Sequence, residues 1–289
     1  MNRFLRLYPV YWALLLVTLR FVFIAGEEHF SHFHRKIQIP ETVGEFLANA
    51  SMIYPSSNPV DYSVRLAPPT WALTIELFYY LLIGLGLSRT KFVTTTWFAA
   101  SVTYLLYNML SGRLSLGYGN IISASLPFSI GAMIYWHKAF IFHLIQSITS
   151  QYRWLFITLF TLNVYLIGIS GFIFPDQQWK LNLVATYLNY PLSACVIVIL
   201  LNEGKTFLPK KIDVFLGDLS YPFYIFHFSS AALISWLLFD GRKGGLSWTG
   251  AGIFIASVLI TFFISVLINS IIHSRVEKIR ELTKKRLLS

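Results

Sequence analysis

The chain has 289 residues, 55% of them hydrophobic and 12% charged, with a mean hydropathy of +0.60 and a net charge of +10. Soluble domains carry about 25% charged residues, so this composition excludes a water-soluble enzyme, a disordered tail and a disulfide-stapled secreted domain. The apolar stretches are continuous and not alternating, which excludes most outer-membrane barrels and leaves an all-α, polytopic membrane bundle.

Eight apolar segments are expected to span, within a single membrane domain covering residues 1–289: Tyr11–Ala25, Trp71–Leu87, Phe92–Leu110, Ile121–Trp136, Trp154–Phe174, Leu181–Leu201, Ser220–Phe239 and Trp248–Ile272. At about 20 residues per span they use only about 160 positions. The first segment follows Arg3 and Arg6 in RFLRLYPVYW, is interrupted by Arg20 and has no small-residue cleavage site after it. It therefore reads as an uncleaved anchor. Arg3 and Arg6, an i, i+3 pair, are either a positive-inside anchor or a clamp for a phosphorylated donor, which planar guanidinium suits by bidentate geometry. Arg20 either pairs with an intramembrane carboxylate or snorkels outward.

The longest connection, Gly26–Pro69, holds EEHFSHFHRK, ETVGEFLANASMIY and YPSSNPVDY. Its middle part is too short and polar to span, and is expected as a short helix at the interface. His29, His32 and His34 have mixed spacing and no neighbouring cysteine, so no metal is expected there. The lone Cys195 lies in an apolar run and forms no disulfide framework.

Ionisable residues within a span cost roughly 2.5–3.5 kcal/mol each, which makes Glu76 and His227 functional candidates. Glu76, in PPTWALTIELFYYLL, lies about 8 Å below the start of its helix, beside Leu73, Tyr79 and Tyr80. It can act as a base, hold a charged partner or bond a tyrosine hydroxyl. In LSYPFYIFHFSS, Pro222 suits a first helical turn. Ser220, Tyr224 and His227 then make one polar stripe facing the bundle, with His227 about 10 Å above the start of the helix. Neutral imidazole accepts protons near pH 7, and it equally serves as a packed, hydrogen-bonded residue.

With the N-terminus inside, fifteen Lys and Arg fall on the inner side and seven on the outer, which places both termini in the cytoplasm of a multi-pass cell-membrane protein. The basic tail HSRVEKIRELTKKRLLS reads as a helical extension on anionic lipid headgroups, so the charge does not point to nucleic acid. No Walker, GxGxxG or GxSxG motif occurs, and no internal repeat.

Three segments together resemble the acyltransferase-3 family of integral-membrane O-acyltransferases, which modify surface glycans. RFLRLYPVYW is similar to the family's "RRxxRxxPxYW", PPTWALTIELFYYLL to its "TWSLxxExxFYL", and LSYPFYIFHFSSA to its "SYxxYxxH". The family's Arg-x10-His first span and Phe-Phe-x-x-Ser-Gly-like second span have no counterpart, so the resemblance implies a chain lacking the family's first two helices of ten. It further implies acyl transfer, usually of acetyl, from cytoplasmic acyl-CoA to a hydroxyl of a cell-surface or lipid-linked carbohydrate, without a metal. Arg3 and Arg6 would hold the acyl-CoA, and Trp71, Tyr221 and Tyr224 the acceptor. Glu76 and His227 would be catalytic, with His227 the best remaining base. The rival readings are a glycan or lipid transporter or flippase, and an inactive, truncated remnant of the family.

Overall fold

The structure, a computed structural model, describes residues 2–112, 119–203 and 208–288, and their side chains except at 2, 3, 6, 144–151, 172, 179, 202–203 and 273–288. Arg113 and Lys205 of the charge count lie outside these residues, as do the side chains of Arg3 and Arg6. The described regular elements are all helical, and five helices are long and apolar enough to cross a membrane: Leu7–Ala25, Tyr152–Gly171, Lys180–Leu201, Lys210–Leu238 and Trp248–Ile272. The chain is thus a multi-pass helical membrane protein.

Its contacts gather into two compact units. The first contains α1 (Asn2–Ala25), α2 (Glu27–Phe33), α3 (Val43–Ser51), a 3-10 turn at Pro68–Thr70 that leads into α4 (Trp71–Gly84), and α8 (Lys210–Leu238) with α9 (Trp248–Leu288). Gly26, with φ at +90°, makes the break between α1 and α2 that a residue with a Cβ rarely adopts. Val22, Phe30, Ile37, Ala232 and Leu233 form its apolar core, flanked by Phe228 and Trp236. Buried hydroxyls tie the long helices together: Thr18 donates to Ser229 across 2.9 Å, and Ser230 pairs with Thr261. In a bilayer such polar bonds add to close packing between helices.

The connection from α1 to α4 departs from the expected interfacial loop. α3 forms where ETVGEFLANASMIY places it, opened by a Thr42–Glu45 capping box. Its last carbonyls, however, are taken by α1: Tyr8 donates to Ser51 (2.7 Å), Trp12 to Ala50 (2.8 Å) and Tyr11 to Asn49. At 1.5 Å per residue Tyr11 lies about 21 Å back from Ala25, so the connection runs down the side of α1 and returns. The physical reason is that the final carbonyls of a helix lack partners, and phenol and indole groups of α1 supply them. Val43, Phe46, Leu47 and Ile53 remain exposed on the other side.

The second unit comprises the rest of α4, a 3-10 turn at Pro59–Asp61, α5 (Lys91–Leu110), α6 (Ser125–Ile173) and α7 (Gln178–Glu203). Tyr79 stacks on Phe128 at 4.5 Å and donates to the Ile121 carbonyl, while Trp97 donates to Ser125 across 2.7 Å. α6 and α7 pair through Ser170 donating to Asn182 (2.6 Å) and Asn163 donating to the Ala185 carbonyl (2.8 Å).

Three expected boundaries move. The segments Ile121–Trp136 and Trp154–Phe174 belong to one 49-residue helix, α6, because the polar stretch between them contains neither Gly nor Pro to end it. α8 begins at Lys210, just after Pro209, and continues through Pro222, which is therefore an interior proline and not a first-turn one. α1 begins at Asn2, well before Tyr11.

Candidate functional site

The first and third sequence segments meet the α1–α4 connection within the first unit, and the second opens from its end at Pro68 and Pro69. From the first segment come Tyr8, Tyr11 and Trp12, bonded to the end of α3. From the third, Tyr221 reaches the Met52 sulfur at 3.8 Å, and Tyr224 donates to the Pro69 carbonyl across 2.9 Å, two residues before Trp71. Asn49, 1% exposed, is the knot of the connection: its Nδ2 donates to the Glu45 and Val64 carbonyls, and its Oδ1 accepts from Leu66. Residues 64–70 are buried throughout, as their near-absence of charge allows.

That run includes Arg65, 3% exposed, whose amide donates to the Lys36 carbonyl across 2.8 Å. It lies beside Tyr54 and His34. Tyr54, 1% exposed, shares a 2.6 Å hydrogen bond with Thr70 and packs on Tyr62. Burial pushes its phenol up to about 12, so it stays protonated at any physiological pH. Arg65 is one of the seven basic residues that the charge count puts on the outer side, and Tyr11, Asn49 and Tyr54 carry no motif of their own in the sequence. An arginine inside the apolar run VRLAPPT was the one visible signal.

His227 is half-buried on α8, and its Nδ1 lies 2.8 Å from the Tyr224 carbonyl. A carbonyl only accepts, so Nδ1 carries a proton, and in the neutral ring Nε2 then presents the lone pair. The imidazole also packs on Phe228 at 4.4 Å, and the same phenyl ring meets His34 at 4.8 Å. The polar stripe of Ser220, Tyr224 and His227 does not face the bundle as expected. Ser220 and Tyr224 are exposed, and the buried face runs through Leu219, Pro222, Phe226, Ser229 and Ser230. With α8 beginning at Lys210, His227 lies about 26 Å from the start of its helix, which removes the depth estimate made from Ser220.

Trp71, half-buried, opens α4 behind the Pro68–Thr70 turn. Glu76 is half-buried on α4 within the second unit. Arg20 is exposed, five residues from the end of α1, which suits a side chain reaching for the headgroups. The three loop histidines take separate partners: His29 reaches the Ala232 carbonyl at 3.3 Å, His34 packs on Phe228, and His32 is exposed. No family model, curated protein or solved structure matches the chain.

Proposed function

We propose that the chain is a membrane O-acyltransferase that moves an acyl group, acetyl in the simplest case, from acyl-CoA to a hydroxyl of a cell-surface or lipid-linked carbohydrate. The reading places eight spans and both termini in the cytoplasm of the cell membrane, with acyl-CoA at the inner mouth near Arg3 and Arg6. The acceptor approaches from outside, near Trp71, Tyr221 and Tyr224. The observation that carries it is the 2.8 Å contact of His227 Nδ1 with the Tyr224 carbonyl: in the neutral imidazole it puts the proton on Nδ1 and leaves Nε2 as a base.

In the step itself, Nε2 takes the proton of the acceptor hydroxyl as its oxygen attacks the thioester carbonyl. The carbon–sulfur bond then breaks, the CoA sulfur leaves with that proton, and an ester remains. Holding both substrates in one passage contributes through effective concentration. The resemblance also assigns Glu76, on α4, a role toward the acceptor hydroxyl.

Membranes carrying the chain, and the same reading frame extended upstream of Met1, are to be incubated with radiolabelled acetyl-CoA and base-stripped envelope polysaccharide. The expected result is base-labile label on the polysaccharide. A polysaccharide that stays unlabelled in both forms, at normal expression, overturns the reading.

A further inference from the structure

His34 lies on the connection, at the end of α2, yet its imidazole packs on the same phenyl ring as that of His227. The two rings are prepared in opposite senses. The Lys36 amide reaches His34 Nδ1 across 3.3 Å, and an amide N–H only donates, so His34 Nδ1 accepts and its Nε2 carries the proton. In His227 the assignment is reversed, with Nε2 the acceptor. Both imidazoles are half-buried, and the hydrogen bonds to the Lys36 amide and the Tyr224 carbonyl engage Nδ1 in each.

We propose that His34 is a second substrate-binding imidazole, donating a hydrogen bond from Nε2 to an acceptor oxygen that neighbours the hydroxyl deprotonated by His227. This rests on the acyl-transfer reading of His227 and adds the substrate class: a sugar with adjacent oxygens, one given up to the base and one held by the donor. Both imidazoles lie against one phenyl ring, at 4.4 and 4.8 Å between centroids, so they belong to one neighbourhood of the first unit. Burial first, and then the Arg65 guanidinium, hold the His34 imidazole below its ordinary range, so at neutral pH it remains uncharged and donates from one nitrogen only. The rigid helix α8 fixes one ring, and the core contact of Ile37 against Val22 fixes the connection that bears the other. A donor held by a connection and a base held by a span thus converge on one ring.

The test compares His34→Phe, which keeps a ring against Phe228 but has no donor, with His34→Gln, whose amide N–H restores one. With labelled acetyl-CoA and base-stripped polysaccharide, His34→Phe should raise the apparent KM for polysaccharide at least about tenfold. The KM for acetyl-CoA should stay unchanged, and His34→Gln should recover most of the loss. In parallel, wild type is treated with diethyl pyrocarbonate, with and without the polysaccharide, and carbethoxylation of His34 is mapped by peptide mass spectrometry. The polysaccharide should protect His34. An unchanged polysaccharide KM in His34→Phe, or equal labelling of His34 in both samples, overturns the proposal while wild-type turnover preserves the acyl-transfer reading. If wild type transfers no label, that reading falls, and protection of His34 decides alone whether the imidazole binds the glycan.

Discussion

The α1–α4 connection and the α6–α7 hairpin solve the same problem, polar groups in an apolar chain, in opposite ways. The hairpin uses regular helix, in which interior backbone groups are bonded within their own segment except around Pro191 of α7. It adds side-chain bonds between helices from Asn163, to the Ala185 carbonyl and Asn189, and from Ser170. Most of its surface is apolar and exposed, as at Trp154, Leu155, Tyr165 and Leu188. The connection has long irregular stretches and must find partners for its backbone one by one. It uses Tyr8, Tyr11 and Trp12 on the end of α3, Asn49 for Val64 and Leu66, and Lys36 for Arg65. Regular helix needs little sequence-specific support, whereas buried irregular backbone demands particular polar side chains at particular places. Those side chains leave chemistry behind: the aromatic and imidazole groups of the candidate site line this connection.

The sharpest way to break the comparison is at its two asparagines. Asn49→Leu leaves the Leu66 N–H and the Val64 carbonyl without the partner they have now, and each orphaned buried group costs about 1–3 kcal/mol. Asn163→Leu removes the bond to the Ala185 carbonyl and a longer one to Asn189, and interhelical bonds of this kind average about 0.6 kcal/mol in membranes. Thermal unfolding in detergent should therefore show Asn49→Leu losing several times more stability than Asn163→Leu. Equal losses would mean that the connection is held by packing alone.

Next in size are the chemical groups. His227→Asn keeps an amide able to bond the Tyr224 carbonyl and removes the Nε2 base, so acyl transfer should fall at least about a hundredfold with the protein still inserted. Glu76→Gln, which keeps shape and removes charge, should abolish transfer too. Ser170→Ala, in the hairpin, should leave the rate within about twofold, since a single interhelical bond carries so little. Near-normal turnover in either of the first two would return that residue to a packing role.

A smaller effect concerns the N-terminal arginines. Arg3→Ala combined with Arg6→Ala should weaken the apparent affinity for acetyl-CoA at least about tenfold, since each charge-assisted contact to phosphate contributes about 1.5–3 kcal/mol. The KM for polysaccharide should not move. An unchanged acetyl-CoA dependence would make both residues topology signals only.

What the sequence made legible follows the same division. Apolar runs mark the bounds of α5 and α7 within a few residues and the start of α9, whose helix continues past the apolar run to Leu288. Of these, α7 and the Trp248–Ile272 part of α9 are long and apolar enough to span. The T-x-x-E signature marks the start of α3, and the double proline marks the turn before Trp71. The stretch between residues 137 and 153 misleads because polar side chains do not end a helix, and the true punctuation, Gly or Pro, is missing there. At Pro222 the error is reversed: a proline inside a packed membrane helix is tolerated where neighbouring groups compensate. The site was legible only as single residues. That His34 meets Phe228, or that Tyr11 meets Asn49, depends on the connection turning back along α1, and no local spacing encodes that path.

The smallest predicted effect tests the path itself, through the charge environment it gives His34. Burial, Arg65, Lys36 and Arg35 all disfavour the imidazolium, so the folded-state pKa lies below the ordinary 6.5. Between those two values the unfolded chain binds the proton more readily than the folded one, and linkage then requires stability to fall as pH drops through that window. Above the ordinary value both states are neutral at this site and its contribution is constant. The chain has other histidines, so the measurement is a difference: melting temperatures of wild type and His34→Gln in detergent from pH 7.5 down to 5. The wild type should lose ground relative to the variant as pH falls below about 6.5, by less than any of the losses above. The difference should shrink when Arg65→Met is placed in both backgrounds, because one of the charges that opposes protonation is then gone. A difference that stays flat with pH would mean that His34 sits in water, away from Arg65, and that the connection does not return along α1 as described.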